Sequence, residues 1–182
     1  MLIADEIETI KSALKRRSSG DIFTRWGRSS CPSEKADTVY SGVIGGGKHT
    51  AGQVWTVRKD ASIIYGNEYR TVSGSLWKHI TDNEAPCAVC RSRGRSVVMI
   101  PGRNTCYPGW RVEYFGYLMS GHHGHTGNTN AICIDAEPET TTDSDNEYAA
   151  TSLLYFIKAS CGTLKCPPYE NGTILTCVVC SM

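Results

Sequence analysis

Cys87-Ala88-Val89-Cys90 returns 90 residues later as Cys177-Val178-Val179-Cys180. An apolar run stands at the same distance of 22 residues before each pair: Ser62-Ile63-Ile64-Tyr65, then Ser152-Leu153-Leu154-Tyr155. Further out, Gly27-Arg28-Ser29-Ser30-Cys31-Pro32 answers Gly102-Arg103-Asn104-Thr105-Cys106-Tyr107-Pro108. Tyr40-Ser41-Gly42 answers Tyr114-Phe115-Gly116. Two copies of one subdomain, each with cysteines at both ends, predict a duplicated, cross-linked extracellular module.

Size and composition agree with that reading. The 182 residues suit one ordinary domain, or two small ones sharing a core. A formal net charge of +1 gives no whole-molecule field of the kind that draws nucleic acid or a membrane surface. Nine cysteines at repeated positions predict disulfides and an oxidising, extracellular compartment. Two CxxC pairs also suggest a zinc ribbon, but such a site needs pairs close together, and none is predicted. Neither pair sits in the strand-to-helix pattern of a redox motif. Met1-Leu2-Ile3 runs straight into charged residues, so no leader is visible, and no apolar stretch is long enough to span a membrane. Asn171-Gly172-Thr173 fits a glycosylation acceptor at Asn171.

Three segments follow: a helix and hinge over 1–20, a first β subdomain over 21–95 and a second over 96–182. Ile3, Ile7, Ile10 and Leu14 form a two-heptad seam, with Glu6 and Lys11 flanking it for an interchain ion pair. Isoleucine at both core positions predicts a homo-oligomer, a trimer first of all. An amphipathic helix lying on its own domain is the plainer alternative. The remainder is mainly β. Thr38-Val39-Tyr40, Val54-Trp55-Thr56-Val57, Ser96-Val97-Val98-Met99-Ile100 and Arg111-Val112-Glu113-Tyr114 read as short strands punctuated by Gly, Pro, Ser and Asn.

The middle of the chain carries a more specific pattern. Cys87-Ala88-Val89-Cys90, Val97-Val98-Met99, Cys106-Tyr107-Pro108-Gly109-Trp110 and Gly116-Tyr117-Leu118-Met119 resemble the centre of the non-collagenous C-terminal domain of type IV collagen. They are closer still to the same domain in sponge short-chain collagens and in collagen-free secreted invertebrate proteins. The resemblance runs from about Phe23 to Met182 and implies two β subdomains that exchange strands. It also implies a pairing: Cys31 with Cys90, Cys106 with Cys180, and Cys133 with Cys177. Cys161 and Cys166 are near neighbours and predict a small loop of their own. The first half departs from the family pattern, because Trp55 stands about where Cys133 stands in the second. That leaves Cys87 as the odd cysteine, a buried free thiol or an interchain partner.

Candidate sites are few. His122, His123 and His125 lie on a Gly-rich loop whose first-half counterpart holds His49. Convergent imidazoles on a loop could contact a ligand or glycan; a polar loop with local hydrogen bonds is the plainer reading. Asp143-Ser144-Asp145-Asn146-Glu147 lacks the glycine and later glutamate of a calcium loop. Lys15-Arg16-Arg17 and Arg91-Ser92-Arg93-Gly94-Arg95 read as solvated basic linkers or sulfated-glycan contacts. No nucleophile signature, phosphate loop or dinucleotide fingerprint is present, so neither enzyme activity nor a cofactor is predicted. Two functions stand side by side: lectin-like recognition of extracellular ligands by several weak sites acting together, or structural assembly in the extracellular matrix with matrix proteins as partners.

Overall fold

The computed structural model describes residues 20–32, 34–47, 64–71, 76–93, 96–125, 130–142 and 152–182. The predicted N-terminal seam, His49, the strand at Val54–Val57 and the acidic stretch at 143–147 lie outside the described residues. Ten strands follow in order: β1 (Ile22–Trp26), β2 (Ala36–Val43), β3 (Gly45–Gly46), β4 (Tyr65–Tyr69), β5 (Pro86–Ser92), β6 (Val97–Pro101), β7 (Arg111–Ser120), β8 (Ile132–Asp135), β9 (Ser152–Phe156) and β10 (Thr176–Ser181). Lys78–Ile80 form a single 3-10 turn, and no α-helix occurs among the described residues. The protein is therefore mainly β.

Both CxxC pairs lie in central strands. β5 pairs with β1 on one side and β2 on the other; β10 pairs with β6 and β7. In a strand, residues three apart point to opposite faces and stand about 10 Å from each other. That is beyond the reach of a disulfide, so neither pair can close on itself. Three of the four CxxC cysteines instead bond to a cysteine outside their own pair. The structure joins Cys31–Cys90, Cys106–Cys180, Cys133–Cys177 and Cys161–Cys166, and leaves Cys87 as a thiol.

Hydrogen-bond registers in the two halves run in step. Phe23 faces Cys90 and Val98 faces Cys180; Trp26 faces Cys87 and Pro101 faces Cys177. A bulge interrupts β2 between Thr38 and Tyr40, opposite Cys90 and Val89. Another interrupts β7 between Val112 and Tyr114, opposite Cys180 and Val179. The Tyr69 N–H donates to the Asn83 carbonyl (3.0 Å), and the Ala159 N–H to the Thr173 carbonyl (2.9 Å). Gly27 and Gly102 each follow the first strand of a half at positive φ, 84° and 72°, and each donates to a carbonyl 2.8 Å away on the first residue of the CxxC strand, Pro86 and Thr176. Only glycine adopts that backbone without strain.

The halves meet in one continuous sheet. β8 lies between β7, to which it is antiparallel, and β1, to which it is parallel through Trp26 and Ile134. β4 runs parallel to β9, with Tyr69 opposite Leu154. Buried Tyr69, Ile80 and Ala85 from the first half pack with Met119, Ile134 and Leu154 from the second. Each large side chain so buried contributes roughly 1.5–3 kcal/mol. Polar ties seal the junction. Arg25 Nε meets Asp135 Oδ2 at 2.8 Å, and the Tyr114 hydroxyl is shared between the carbonyls of Thr24 (3.0 Å) and Cys133 (2.9 Å). Glu139 accepts from the Ser29 N–H (2.9 Å) and hydroxyl (2.6 Å) and pairs with Arg28 (3.0 Å).

Candidate functional site

β7 ends at Ser120 and the chain turns through Gly121 into the histidine loop. The turn is held locally. The His125 N–H donates to the His122 carbonyl (3.0 Å), and the Gly124 N–H donates to His122 Nδ1 (3.1 Å). With Nδ1 accepting, the His122 ring carries its own proton on Nε2 when neutral. The His122 ring is the hub of the cluster: its centroid lies 4.2 Å from His123, 4.9 Å from His125 and 5.0 Å from Tyr155. Tyr155 comes from β9, which pairs with the end of β7 through Ser120. The three imidazoles singled out in the sequence are thus brought together, and a tyrosine joins them.

This cluster stands at one side of an open groove of about 1150 Å³. Gly121, His122, His123 and Tyr155 line that side; Ile157, Lys158, Ser160, Thr173 and Ile174 line the continuation. Arg70 also reaches the groove, while ion-paired to Asp82. Among the described residues no carboxylate lines it, and the described ionisable groups there are basic residues and a tyrosine. Such a surface offers imidazole and phenol faces for stacking, N–H donors for sugar hydroxyls, and an exposed ammonium at Lys158. Among the described residues, no three His, Cys, Asp or Glu side chains converge to hold a metal ion.

The remaining sites are distributed elsewhere. Asn171 is exposed, and its Oδ1 accepts from the Cys161 N–H (3.0 Å), which ties it to the loop closed by Cys161–Cys166. Cys87 is half-buried, where a fully buried thiol was one expectation. Burial pushes its pKa up, so it is a weaker nucleophile than an ordinary cysteine at neutral pH. Burial also raises the pKa of Tyr114, the hydroxyl that bridges the two halves. Glu113 was read in sequence only as part of a strand. It lies in the interior and collects the Ser92 hydroxyl (3.0 Å), an Arg111 N–H (2.9 Å) and the Ser181 hydroxyl.

Sequence reasoning did not find the groove. Tyr155 looked like the end of an apolar core run, and Lys158 carried no motif. The only signal was the odd pairing of three histidines with glycines directly after a strand. Compared with known families and curated proteins, the chain matches no family model and no curated sequence.

Proposed function

We propose that this protein is a non-enzymatic, secreted, oligomeric recognition module that holds extracellular ligands, glycans foremost, at the His122–His123–Tyr155 end of its groove. The observation that carries this reading is the convergence of imidazole and phenol rings at one side of an open groove that has no carboxylate among its described lining residues. Rings and N–H donors side by side suit the apolar faces and hydroxyls of sugars, each contact being weak. Several copies in one particle multiply such weak contacts into useful avidity. The isoleucine seam predicted between Ile3 and Leu14 is one means of gathering copies. Four disulfides fit an oxidising compartment.

We also read the two halves as copies of one subdomain, in the manner of the collagen IV C-terminal domain. Matching registers, bulges and positive-φ glycines support this. The same likeness keeps matrix assembly as the second reading. It is favoured by the apolar side chains that β2 turns to solvent, Val39, Tyr40 and Val43.

A glycan array probed with the intact protein tests the first reading, with His122→Ala and Tyr155→Ala as controls. Binding to at least one glycan class that both substitutions weaken tenfold or more is expected. Binding untouched by either substitution would move the site elsewhere. No binding to any glycan would leave matrix assembly as the better account.

A further inference from the structure

A tight turn beside the groove matches one in the first half. Near the CxxC strands positions correspond by a shift of 90 residues, Cys90 to Cys180, so Ile80-Thr81-Asp82-Asn83 answers to Glu170-Asn171-Gly172-Thr173. The Asn83 N–H donates to the Ile80 carbonyl and the Thr173 N–H to the Glu170 carbonyl, each at 3.2 Å. The Asp82 N–H donates to the Tyr69 carbonyl and the Gly172 N–H to the Ala159 carbonyl, each at 2.8 Å. Asp82 and Gly172 both take positive φ, 64° and 80°, as the third residue of such a turn requires.

The surroundings of the two turns differ. In the first half Asp82 is ion-paired to Arg70, the hydroxyls of Thr81 and Thr71 meet, and Asn83 is buried. In the second half Asn171, Gly172 and Thr173 are all exposed, with open space around Gly172. The Cys161 N–H donates to Asn171 Oδ1 at 3.0 Å, which orients the carboxamide against the loop closed by Cys161–Cys166. Asn171 Nδ2 has no hydrogen-bond partner among the described residues. The nitrogen that an Asn-Gly-Thr acceptor offers to a sugar is therefore unengaged, on an ordered and exposed turn.

We infer that Asn171 carries an N-linked glycan, and that this glycan screens the adjoining end of the groove. Gly172, Thr173 and Ile174, the next residues along the chain, line that end together with Ser160. Lys158 bridges to Ile174 there and is exposed. A glycan is bulky and hydrated, so one rooted at Asn171 covers in the second half what protein covers in the first. Ligand entry is then left to the histidine end, at His122 and Tyr155. The modification joins Asn171 Nδ2 to the anomeric carbon of an oligosaccharide delivered on a lipid pyrophosphate. The carbon–oxygen bond to the pyrophosphate breaks, the lipid pyrophosphate departs, and the amide gives up a proton. The inference rests on the secreted part of the proposed function, because such acceptors are used in secreted proteins.

Two measurements on the full chain, secreted from a eukaryotic host, test it. Peptide mapping should find an oligosaccharide mass on the peptide holding Asn171. Peptide-N-glycosidase should remove it and convert that asparagine to aspartate, and Asn171→Gln should lack it. A bulky acylating reagent should modify Lys158 about tenfold more slowly in the glycosylated chain than after enzymatic release or in Asn171→Gln. A small acylating reagent should modify Lys158 at the same rate in all three, which separates screening from a change in fold. An unmodified Asn171 in the secreted chain overturns the inference. A glycan at Asn171 with equal rates for the bulky reagent in all three chains overturns the screening. Neither measurement uses a groove ligand, so a glycan array without binding would end the recognition reading and leave this inference standing.

Discussion

The two halves share a hydrogen-bond plan and differ in what surrounds it. Tyr40 and Tyr114 occupy the same place beside a bulge, yet Tyr40 is 62% exposed and Tyr114 4%. Arg25 answers to Ile100: the arginine is tied to Asp135 across the junction, while Ile100 faces no such partner. The first half holds one disulfide, and the second holds three. Backbone register is set inside each half by its own cysteines, bulge and glycine. Side-chain burial is set by what lies against each surface: the first half covers Tyr114, Met119 and Leu154 of the second, and nothing among the described residues covers Tyr40 in the same way. Similar hydrogen-bond frames thus lie under a covered surface around Tyr69 and Asn83 and beside an open groove around Ser160 and Thr173.

Disulfides should show the largest difference. Cys31–Cys90 spans 59 residues, and the chain-entropy model assigns such a loop about 4 kcal/mol. That approaches the whole stability of a small domain, about 5–15 kcal/mol. Cys31→Ser with Cys90→Ser strips the first half of its only clamp. Amide exchange in β1, β2 and β5 should then accelerate to the global unfolding rate, with a melting point lower by many degrees. Cys133→Ser with Cys177→Ser leaves the second half two bonds, and its β6 and β10 should stay protected. Equal damage from the two pairs would break the contrast between the halves.

The junction comes next. Arg25→Ala leaves Asp135, whose side chain is only 7% exposed, with an uncompensated charge; loss of about 3 kcal/mol is expected in denaturant unfolding. Ile100→Ala, at the corresponding place, should cost about 1 kcal/mol. For a surface reference, Arg93→Ala breaks a pair with Asp37 in which both side chains are more than half exposed, and should change stability by less than about 1 kcal/mol. A cost for Arg25 no larger than that for Arg93 would mean that the junction contributes little.

Tyr114→Phe removes a hydroxyl shared by the buried Cys133 carbonyl and the part-buried Thr24 carbonyl, at about 1–3 kcal/mol. Tyr40→Phe should be neutral within about 0.5 kcal/mol. Parity between these two tyrosines in thermal melts would contradict the burial difference.

Acid should loosen the junction slightly. Burial alone would raise the Glu139 pKa, but hydrogen bonds from Ser29 and the charge of Arg28 outweigh it and hold the carboxyl below its ordinary value. A depressed carboxyl contributes stability that is fully present above the ordinary glutamate pKa of about 4.3 and is lost as pH falls through the lower, folded value. Glu139→Gln should therefore flatten the stability profile below that pH and leave its slope near neutrality unchanged. An unaltered acid limb would show that Glu139 is not a coupled group.

Much of the framework was legible in the residues. β-branched and aromatic runs around Val97 and Val112, bounded by Gly, Pro, Ser and Asn, located β6 and β7, because such side chains fit a pleated, half-buried surface. The two CxxC pairs marked the repeat, but the strands that carry them, β5 and β10, were not read from the sequence. Proximity was enough for Cys161 with Cys166. The other three pairs came from the family resemblance, since spacing alone leaves many connectivities open.

The groove was not legible, for a physical reason. Tyr155, Lys158 and Thr173 become neighbours only when β9 packs beside β10's approach and β7's end, across separations no local pattern records. Ile64 and Leu154 belong to the same repeated run and look alike in sequence. What separates a buried leucine from a solvent-facing isoleucine is whether another half of the molecule lies against it. Residue types and spacing determined the mainly β character, the strands at β6 and β7 and the small Cys161–Cys166 loop, because those depend on reach and composition within a few residues. Only the tertiary structure decided which surfaces are covered, because covering is a property of two elements meeting, and the sequence writes them far apart.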